Sequence, residues 1–206
     1  MARIGYPFPR PFQPDEPFFL QWHITDRCNF SCSHCYRESQ KRDLSFPDLQ
    51  AVFRSFLRLA ATTSQRGARV QIAGGEPLLS PHLFNLIGEI SRSGLPVRVL
   101  TNGSLINRSI AEALFRSGCK IVQISLDGLE ATHDAIRQPG SFDRAIQAAR
   151  HLRKAGIQVT LAMTLSAVNR HEIAEVAKLA SREADRFSFS RLVPCGVGKS
   201  GTLDLL

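Results

Sequence analysis

Residues 18–36 read FFLQWHITDRCNFSCSHCY and join a predicted strand over 18–25 to a loop with three cysteines. Apolar and polar side chains alternate along much of this strand, the period-two pattern of a chain with two different faces. Cys28, Cys32 and Cys35 follow the strand directly. In α/β folds with parallel strands, sites lie at the C-terminal ends of the strands. The stretch therefore predicts both an α/β architecture and the position of its site.

The rest of the chain continues the same rhythm of strand and helix patterns. Further strands are predicted at 70–73, 97–100, 121–126, 159–165 and 187–193, and helices at 47–61, 107–117 and 142–155. Two more helices are expected, one with Pro81 at its first position and one capped by Asn169. Six strands alternating with helices predict a parallel sheet with right-handed crossovers.

Repeats of this length fit a partial (β/α)6 barrel, similar to a TIM barrel with outer helices, as well as an open doubly wound sheet. Fully buried parallel strands are normally apolar on both faces. Here alternate strand positions are polar. This pattern fits a barrel interior that holds a polar ligand, and it also fits polar strand residues that simply hydrogen-bond to one another. These positions are Gln21, His23, Thr25, Gln123, Ser125, Ser188 and Ser190. We take the partial barrel as the expected fold.

Composition sets bounds on the class of protein. With 206 residues, 43% of them hydrophobic, the chain can bury one substantial core. We expect a proline-rich extended arm over 1–17, one core domain over 18–206, no membrane span and a cytoplasmic location. The net charge of +8 admits an anionic partner, but no long run of Lys and Arg indicates nucleic-acid binding.

The spacing of the three cysteines indicates a soft metal centre in a reducing compartment. A set of thiolates selects zinc or an iron–sulfur cluster. No fourth cysteine lies nearby, so one metal position would stay open for a substrate or cofactor. The alternative is zinc with His34 as fourth ligand, although His34 adjoins Cys35 and joint coordination of one ion would be strained.

Two further motifs follow later strands. Gly74-Gly75-Glu76-Pro77 ends the second strand, where glycines let a ligand approach the backbone and a carboxylate can hold an ammonium group. By itself it also fits a simple turn. Ser125-Leu126-Asp127-Gly128 ends the fourth strand, and Arg137 behind it offers a fork of donors suited to a carboxylate.

Together, the C-x3-C-x2-C loop and these motifs resemble the radical S-adenosylmethionine (SAM) superfamily, most closely the core domain of SPASM/twitch-type peptide and protein maturases. The resemblance implies a [4Fe–4S] cluster on the three cysteines and a SAM molecule at the open iron. It further implies reductive cleavage of SAM to a 5′-deoxyadenosyl radical, which abstracts hydrogen from a substrate. The implied SAM-binding residues are His34, Gly74, Gly75, Glu76, Ser125, Arg137 and, against the adenine, Leu192.

The resemblance also bears on partners. It implies a peptide or protein substrate and a one-electron donor similar to flavodoxin or ferredoxin, with no membrane partner. The last helix and a C-terminal domain for auxiliary clusters are not found in the sequence. One alternative is a radical SAM enzyme of a small-molecule cofactor or haem pathway, and another is a zinc-bound binding module associated with nucleic acid. No side chain is assigned as catalytic acid or base.

Overall fold

The computed structural model describes residues 17–37, 43–63, 67–193 and 195–196. Apart from Pro17, the predicted arm over 1–17 lies outside the described residues. The described strands form one six-stranded parallel sheet in the order in which they occur along the chain. They are β1 (Phe18–His23), β2 (Ala68–Ala73), β3 (Val97–Thr101), β4 (Ile121–Ser125), β5 (Gln158–Leu165) and β6 (Arg186–Arg191).

This strand order decides between the two expected architectures. A doubly wound sheet reverses direction at a switch point, so strands that are consecutive in sequence do not all pair with each other. Here every strand pairs with its sequence neighbour and no order reversal occurs among the described strands. The sheet is a curled half-barrel with outer helices, which confirms the predicted partial (β/α)6 fold.

Helices cover the outer face of the sheet. They are α1 (Phe46–Thr63), α2 (Leu83–Arg92), α3 (Arg108–Ser117), α4 (Glu130–Ile136), α5 (Ser141–Lys154) and α6 (Ile173–Glu183). Between sheet and helices lies the apolar core, to which β4 contributes Val122 and Ile124 and β5 contributes Val159 and Leu161, all fully buried. Of the described helices, none is long and apolar enough to cross a membrane.

The inner face of the sheet carries the polar side chains that were predicted at alternate strand positions. Phe18 of β1 stacks on Phe56 of α1 and so faces the helices. Because successive strand residues point to opposite faces, Phe19 and Gln21 lie on the concave face. The side-chain amide of Gln71 on β2 donates to that of Gln21 at 3.2 Å. Thr25 departs from the expectation, because it lies beyond the end of β1 and is buried under the cysteine loop.

Three local predictions differ from the structure. Helix α2 begins at Leu83 and not at Pro81, since residues 81 and 82 form a turn after the 3₁₀ helix Pro77–Leu79. Asn169 does not cap a helix with its side chain. Helix α4 was not predicted, because its seven residues are too few to show a helical repeat.

Candidate active site

A cavity of about 340 Å³ opens at the C-terminal edge of the sheet. Every residue predicted to bind a cofactor or metal lines it, with the exception of Glu76. These lining residues are Cys28, Cys32, His34, Cys35, Gly74, Gly75, Ser125, Arg137 and Leu192. The lining residues come from the loop after β1, the turn after β2, the end of β4 and the segment after β6. They meet at the C-terminal ends of the strands, where the sequence predicted the site.

Backbone hydrogen bonds hold the cysteine loop against its neighbours. The amide of Gly75 donates to the carbonyl of Thr25 at 2.8 Å, and the amide of Glu76 donates to that of Arg27 at 2.8 Å. Farther along, the amide of Ser33 donates to the carbonyl of Ile136 at the end of α4. The loop is therefore fixed on both sides before any ligand binds.

The glycine pair allows this close approach. A Cβ on Gly75 would lie 2.2 Å from the carbonyl oxygen of Arg27, and one on Gly74 would lie 2.5 Å from that of Thr25. Real Cβ atoms do not approach backbone oxygen so closely. The two glycines thus serve the packing of the cysteine loop in addition to any contact with a ligand.

We expect Gly75→Ala to lower the free energy of unfolding by at least about 2 kcal/mol, because its methyl group would force two backbone segments apart. Gly88→Ala is the matched control. Its Cβ would meet the flexible end of Arg92 at 3.3 Å and the Ser117 carbonyl oxygen at an ordinary 3.9 Å, and in the helix α2 it should stabilise the fold by about 0.5–1 kcal/mol. Urea unfolding of both variants measures the difference, and equal stability of Gly75→Ala and wild type would contradict the argument.

Glu76 lies beneath the cavity and not on its wall. Its carboxylate is fully buried and accepts from the Thr101 hydroxyl at 2.8 Å, the Asn102 amide at 2.8 Å and the Leu78 amide at 3.2 Å. These donors are all from the chain itself, so the structure gives Glu76 a role in joining the ends of β2 and β3.

Arg137 is held at the cavity by a buried ion pair. Its Nε donates to the carboxylate of Asp127 at 2.5 Å, and its Nη1 lies 3.9 Å from the sulfur of Cys32. The Arg137 side chain is 9% exposed and that of Asp127 only 1%. Burial would raise the pKa of Asp127, but Arg137 and then His34 outweigh it and the pKa is lowered. The pair is therefore ionised, and the guanidinium faces the thiols with a fixed orientation.

Asp127 organises several strand ends, a role that the sequence analysis did not assign. Its carboxylate also accepts from the Thr164 amide at 2.8 Å, and its backbone carbonyl accepts from the side chain of Asn169 at 2.8 Å. Asn169 is fully buried and donates as well to the carbonyl of Thr164 at 2.8 Å. Its Oδ1, the atom that would cap a helix, accepts instead from the Ser166 amide at 2.8 Å, so Asn169 is not available as a helix cap.

His133 completes this network from α4. Its ring is fully buried, and its Nδ1 accepts from the Asp127 amide at 3.0 Å, which requires the neutral form. Burial, with Arg137 as the next cause, lowers the pKa of His133 from 6.5 to about 4. A folded-state pKa below the unfolded value means that protons bind preferentially to the unfolded chain.

The stability of the fold should therefore decrease as the pH falls from 6.5 towards 4, and the full contribution of His133 is present above 6.5. Between pH 7 and pH 5 this residue alone should lower the free energy of unfolding by about 2 kcal/mol. His133→Asn keeps an acceptor for the Asp127 amide without a titratable ring, so its unfolding should depend less on pH. Urea unfolding at a series of pH values tests this, and identical slopes for both proteins would exclude the assignment.

Three side chains that line the cavity, those of His23, Tyr36 and Cys195, were not predicted as site residues. The hydroxyl of Tyr36 lies 3.0 Å from Nδ1 of His23 and donates to the carbonyl of Gly74 at 3.1 Å. Burial raises the pKa of Tyr36 to about 12, so the phenol stays protonated. Cys195 also lines the cavity, from the segment after β6. The alternation of polar and apolar residues along β1 did indicate an inward-facing His23, whereas Tyr36 lies in a loop and carries no such signal.

Comparison with known proteins identifies the family. The profile of the Radical SAM superfamily matches residues 22–180, well over half of the chain. The chain belongs to the radical SAM superfamily. Membership decides against the zinc-bound binding module, and it brings the two cofactors of the family, a [4Fe–4S] cluster and SAM.

Relatives of known function are about twice as long as this radical SAM chain. It is 34% identical over 189 residues to the mycofactocin maturase MftC of Mycobacterium ulcerans, covering 89% of this chain and 50% of the relative. To the Fe-coproporphyrin III synthase of Methanosarcina barkeri it is 31% identical over 189 residues, covering 91% and 47%. The chain thus spans about half the length of the curated relatives it matches.

Among solved structures, Streptococcus suis SuiB bound to its precursor peptide SuiA has the same fold. The TM-score is 0.73 and the identity 21%, over 86% of this chain and 40% of SuiB. At this identity the similarity concerns the fold alone.

The donor set at the cavity fits the cofactors of the family. The described residues contain no group of three or more His, Cys, Asp or Glu side chains that could hold a single metal ion. A cluster makes a different demand, since each thiolate binds its own iron atom. Three thiols, a fixed guanidinium and the backbone of two glycines line one cavity, as a cluster with an adjacent amino acid-like ligand would require.

Proposed function

We propose that this chain is the cofactor-binding core of a radical SAM enzyme that modifies a peptide or protein substrate. The observation that carries the proposal is the convergence of Cys28, Cys32 and Cys35 with the other lining residues on one cavity at the strand ends. When bound, the cluster and SAM supply a 5′-deoxyadenosyl radical through one-electron reduction of the sulfonium, and that radical takes hydrogen from the substrate.

The three thiolates hold the cluster in this proposal, and Arg137 serves both cofactors. Its guanidinium partly balances the thiolate charge near Cys32. Because Asp127 holds its Nε and Nη1 lies against Cys32, Nη2 can donate to the carboxylate of SAM with little loss of side-chain entropy. Asp127 is a positioning residue in this arrangement, since it touches the cofactor only through Arg137.

The other lining residues receive roles that follow from their chemistry. The backbone at Gly74 and Gly75 is open enough for the amino group of SAM to approach, and the Ser125 hydroxyl offers a further polar contact. Leu192 is 5% exposed and held by its amide to the Leu165 carbonyl at 2.8 Å, so it provides a fixed apolar surface for the adenine. The Nε2 of His34 lies 3.5 Å from Oδ2 of Asp127, the same oxygen that accepts from Arg137.

A peptide substrate is supported by the relatives. MftC is a maturase, and SuiB has been solved with a precursor peptide. The Fe-coproporphyrin III synthase supports a second candidate, a tetrapyrrole. Reduction would come from a flavodoxin- or ferredoxin-like donor in the cytoplasm, where free thiols persist.

Anaerobic reconstitution tests the cofactor part of the proposal. We expect a brown protein with about four iron and about four sulfide per chain, which binds SAM. A colourless protein that binds zinc after the same treatment would exclude it. The substrate is tested by mass spectrometry of candidate precursor peptides and tetrapyrroles after incubation with reductant and SAM. A change of mass in the tetrapyrrole alone would replace the peptide by the second candidate.

A further inference from the structure

Three arginines lie on the concave face of the half-barrel, on the strands below the cavity. Arg69 is on β2, Arg98 on β3 and Arg186 on β6. Val97 and Val99 on either side of Arg98 are buried in the core, so Arg98 lies on the opposite, inner face. We call these three residues the arginine cluster.

Strand register places the other two arginines on the same inner face. Arg69 pairs with Phe19, which lies opposite the helices, and its guanidinium sits 5.2 Å from the centre of the Phe19 ring. Arg186 pairs with Thr160, whose neighbours Val159 and Leu161 are both fully buried in the core. Because the sheet curls, side chains from β2, β3 and β6 converge towards the interior.

The arginine cluster has no counter-charge in the described structure. None of the ion pairs formed between described residues includes any of its members. Burial, and then the positive charges of Arg186 and Arg69, lower the pKa of Arg98. Three like charges that have no described carboxylate beside them favour the binding of an anionic group at this place.

A second observation points to the same place. Thr160 is 4% exposed, and its hydroxyl is buried without a hydrogen-bond partner. By register it lies between Gln123 and Arg186 on the inner face. A buried hydroxyl without a partner costs free energy, which a bound polar group would recover.

The arginine cluster lies next to the cofactor cavity along the strands, although none of its three members lines the cavity itself. Leu100 lines the cavity and lies two residues beyond Arg98 on β3, a separation of about 7 Å along a strand. Gln21 also lines the cavity, and it accepts from Gln71, the register partner of Arg98. A molecule anchored at the arginine cluster therefore reaches the place where the radical is supplied.

We propose that the arginine cluster binds carboxylate groups of the substrate and so orients it beneath the cofactors. This inference rests on the proposed function, since it assigns the substrate of that same site. Arginine is suited to the role because its planar fork donates two parallel hydrogen bonds to a carboxylate. The carboxylates come from an acidic peptide or from a carboxylated small molecule such as a porphyrin, and both sources share this chemistry.

Calorimetric titration of the reconstituted protein with three probes tests the proposal. The probes are a short polyglutamate peptide, a polyglutamine peptide of the same length and a tetracarboxylate porphyrin. At low ionic strength we expect a carboxylate probe to bind more tightly than polyglutamine and to weaken with added salt. Arg98→Gln should weaken that binding about tenfold, and Arg98→Lys should weaken it less.

Arg54→Gln is the matched control, because it removes the same charge from the exposed surface of α1 and should leave the affinity unchanged. Arg186→Gln, on an exposed strand position, tests the same site if Arg98→Gln does not fold. Binding of polyglutamate alone identifies a peptide, binding of the porphyrin alone identifies a small molecule, and binding of both supports the shared chemistry.

Equal binding of all three probes, or equal loss in Arg54→Gln and Arg98→Gln, would overturn the arginine cluster as a site. Formation of 5′-deoxyadenosine by the wild-type protein is measured in the same preparation without a probe. Cleavage of SAM without selective carboxylate binding would refute this inference alone, whereas selective binding without cleavage would refute the proposed function.

Discussion

Replacing Cys32 by alanine is expected to remove the cluster and to lower SAM cleavage by more than about a hundredfold. Loss of a residue that only hydrogen-bonds to a metal ligand already lowers metal affinity or activity about 10–100-fold. Loss of a direct ligand should have a larger effect. Cys32 has two further ties to the site, since Arg137 lies 3.9 Å from its sulfur and its carbonyl accepts from the Cys35 amide at 3.1 Å. The alanine variant keeps the backbone contact and loses only the thiol.

Cys195→Ala is the matched control for this experiment. Cys195 lines the same cavity but stands outside the C-x3-C-x2-C loop, so the control removes a thiol from the cavity without removing a predicted ligand. Iron and sulfide content and the visible spectrum after anaerobic reconstitution are measured for both variants. If Cys32→Ala retained the cluster, or if Cys195→Ala lost it equally, the assignment of ligands would be wrong.

Replacing Asp127 by alanine is expected to lower the free energy of unfolding by about 3–5 kcal/mol. Asp127 is 1% exposed and accepts from Arg137 and from the Thr164 amide. Its removal leaves the Arg137 guanidinium buried without a counter-charge and a backbone donor without a partner. The same variant should bind SAM weakly, because Arg137 is no longer held in one orientation.

A double-mutant cycle separates the ion pair from the other contacts of Asp127. Arg137→Met removes the charge while keeping much of the side-chain volume. In the Asp127→Ala background, Arg137→Met should cost less than in the wild type, since no unpaired charge remains. Urea unfolding of the four proteins gives the coupling energy. Strict additivity of the two substitutions would show that the pair does not couple, contrary to the geometry.

The fold could be predicted from the sequence because each of its elements carries a local signal. The apolar strand runs and the helical repeats fix the six strands and five of the six helices. The polar residues on alternate strand positions favoured a barrel interior, and Gln21, His23 and Ser125 do line the cavity. The order of the strands in the sheet carries no such local signal, so the sequence could only favour the partial barrel, and the observed strand order confirms it.

The sequence could predict site residues only where the residues that act together lie in one short motif. Asn169 departs from prediction because its side chain binds a backbone group of a distant segment, and the contacts of Glu76 with the end of β3 could not be predicted for the same reason. Glu76 reaches the Asn102 amide and Asn169 reaches the carbonyl of Asp127. Pairs so far apart in one sequence leave no spacing pattern. The structural role of Asp127 was hidden in the same way, although its motif was recognised.

The measurement that tests the central claim most directly is the product formed from SAM and dithionite by the anaerobically reconstituted protein. We predict 5′-deoxyadenosine and methionine from the wild type, formed even without a substrate, and neither product above background from Cys32→Ala. A protein that carries a complete cluster and binds SAM, yet leaves it intact under reduction, would contradict the account.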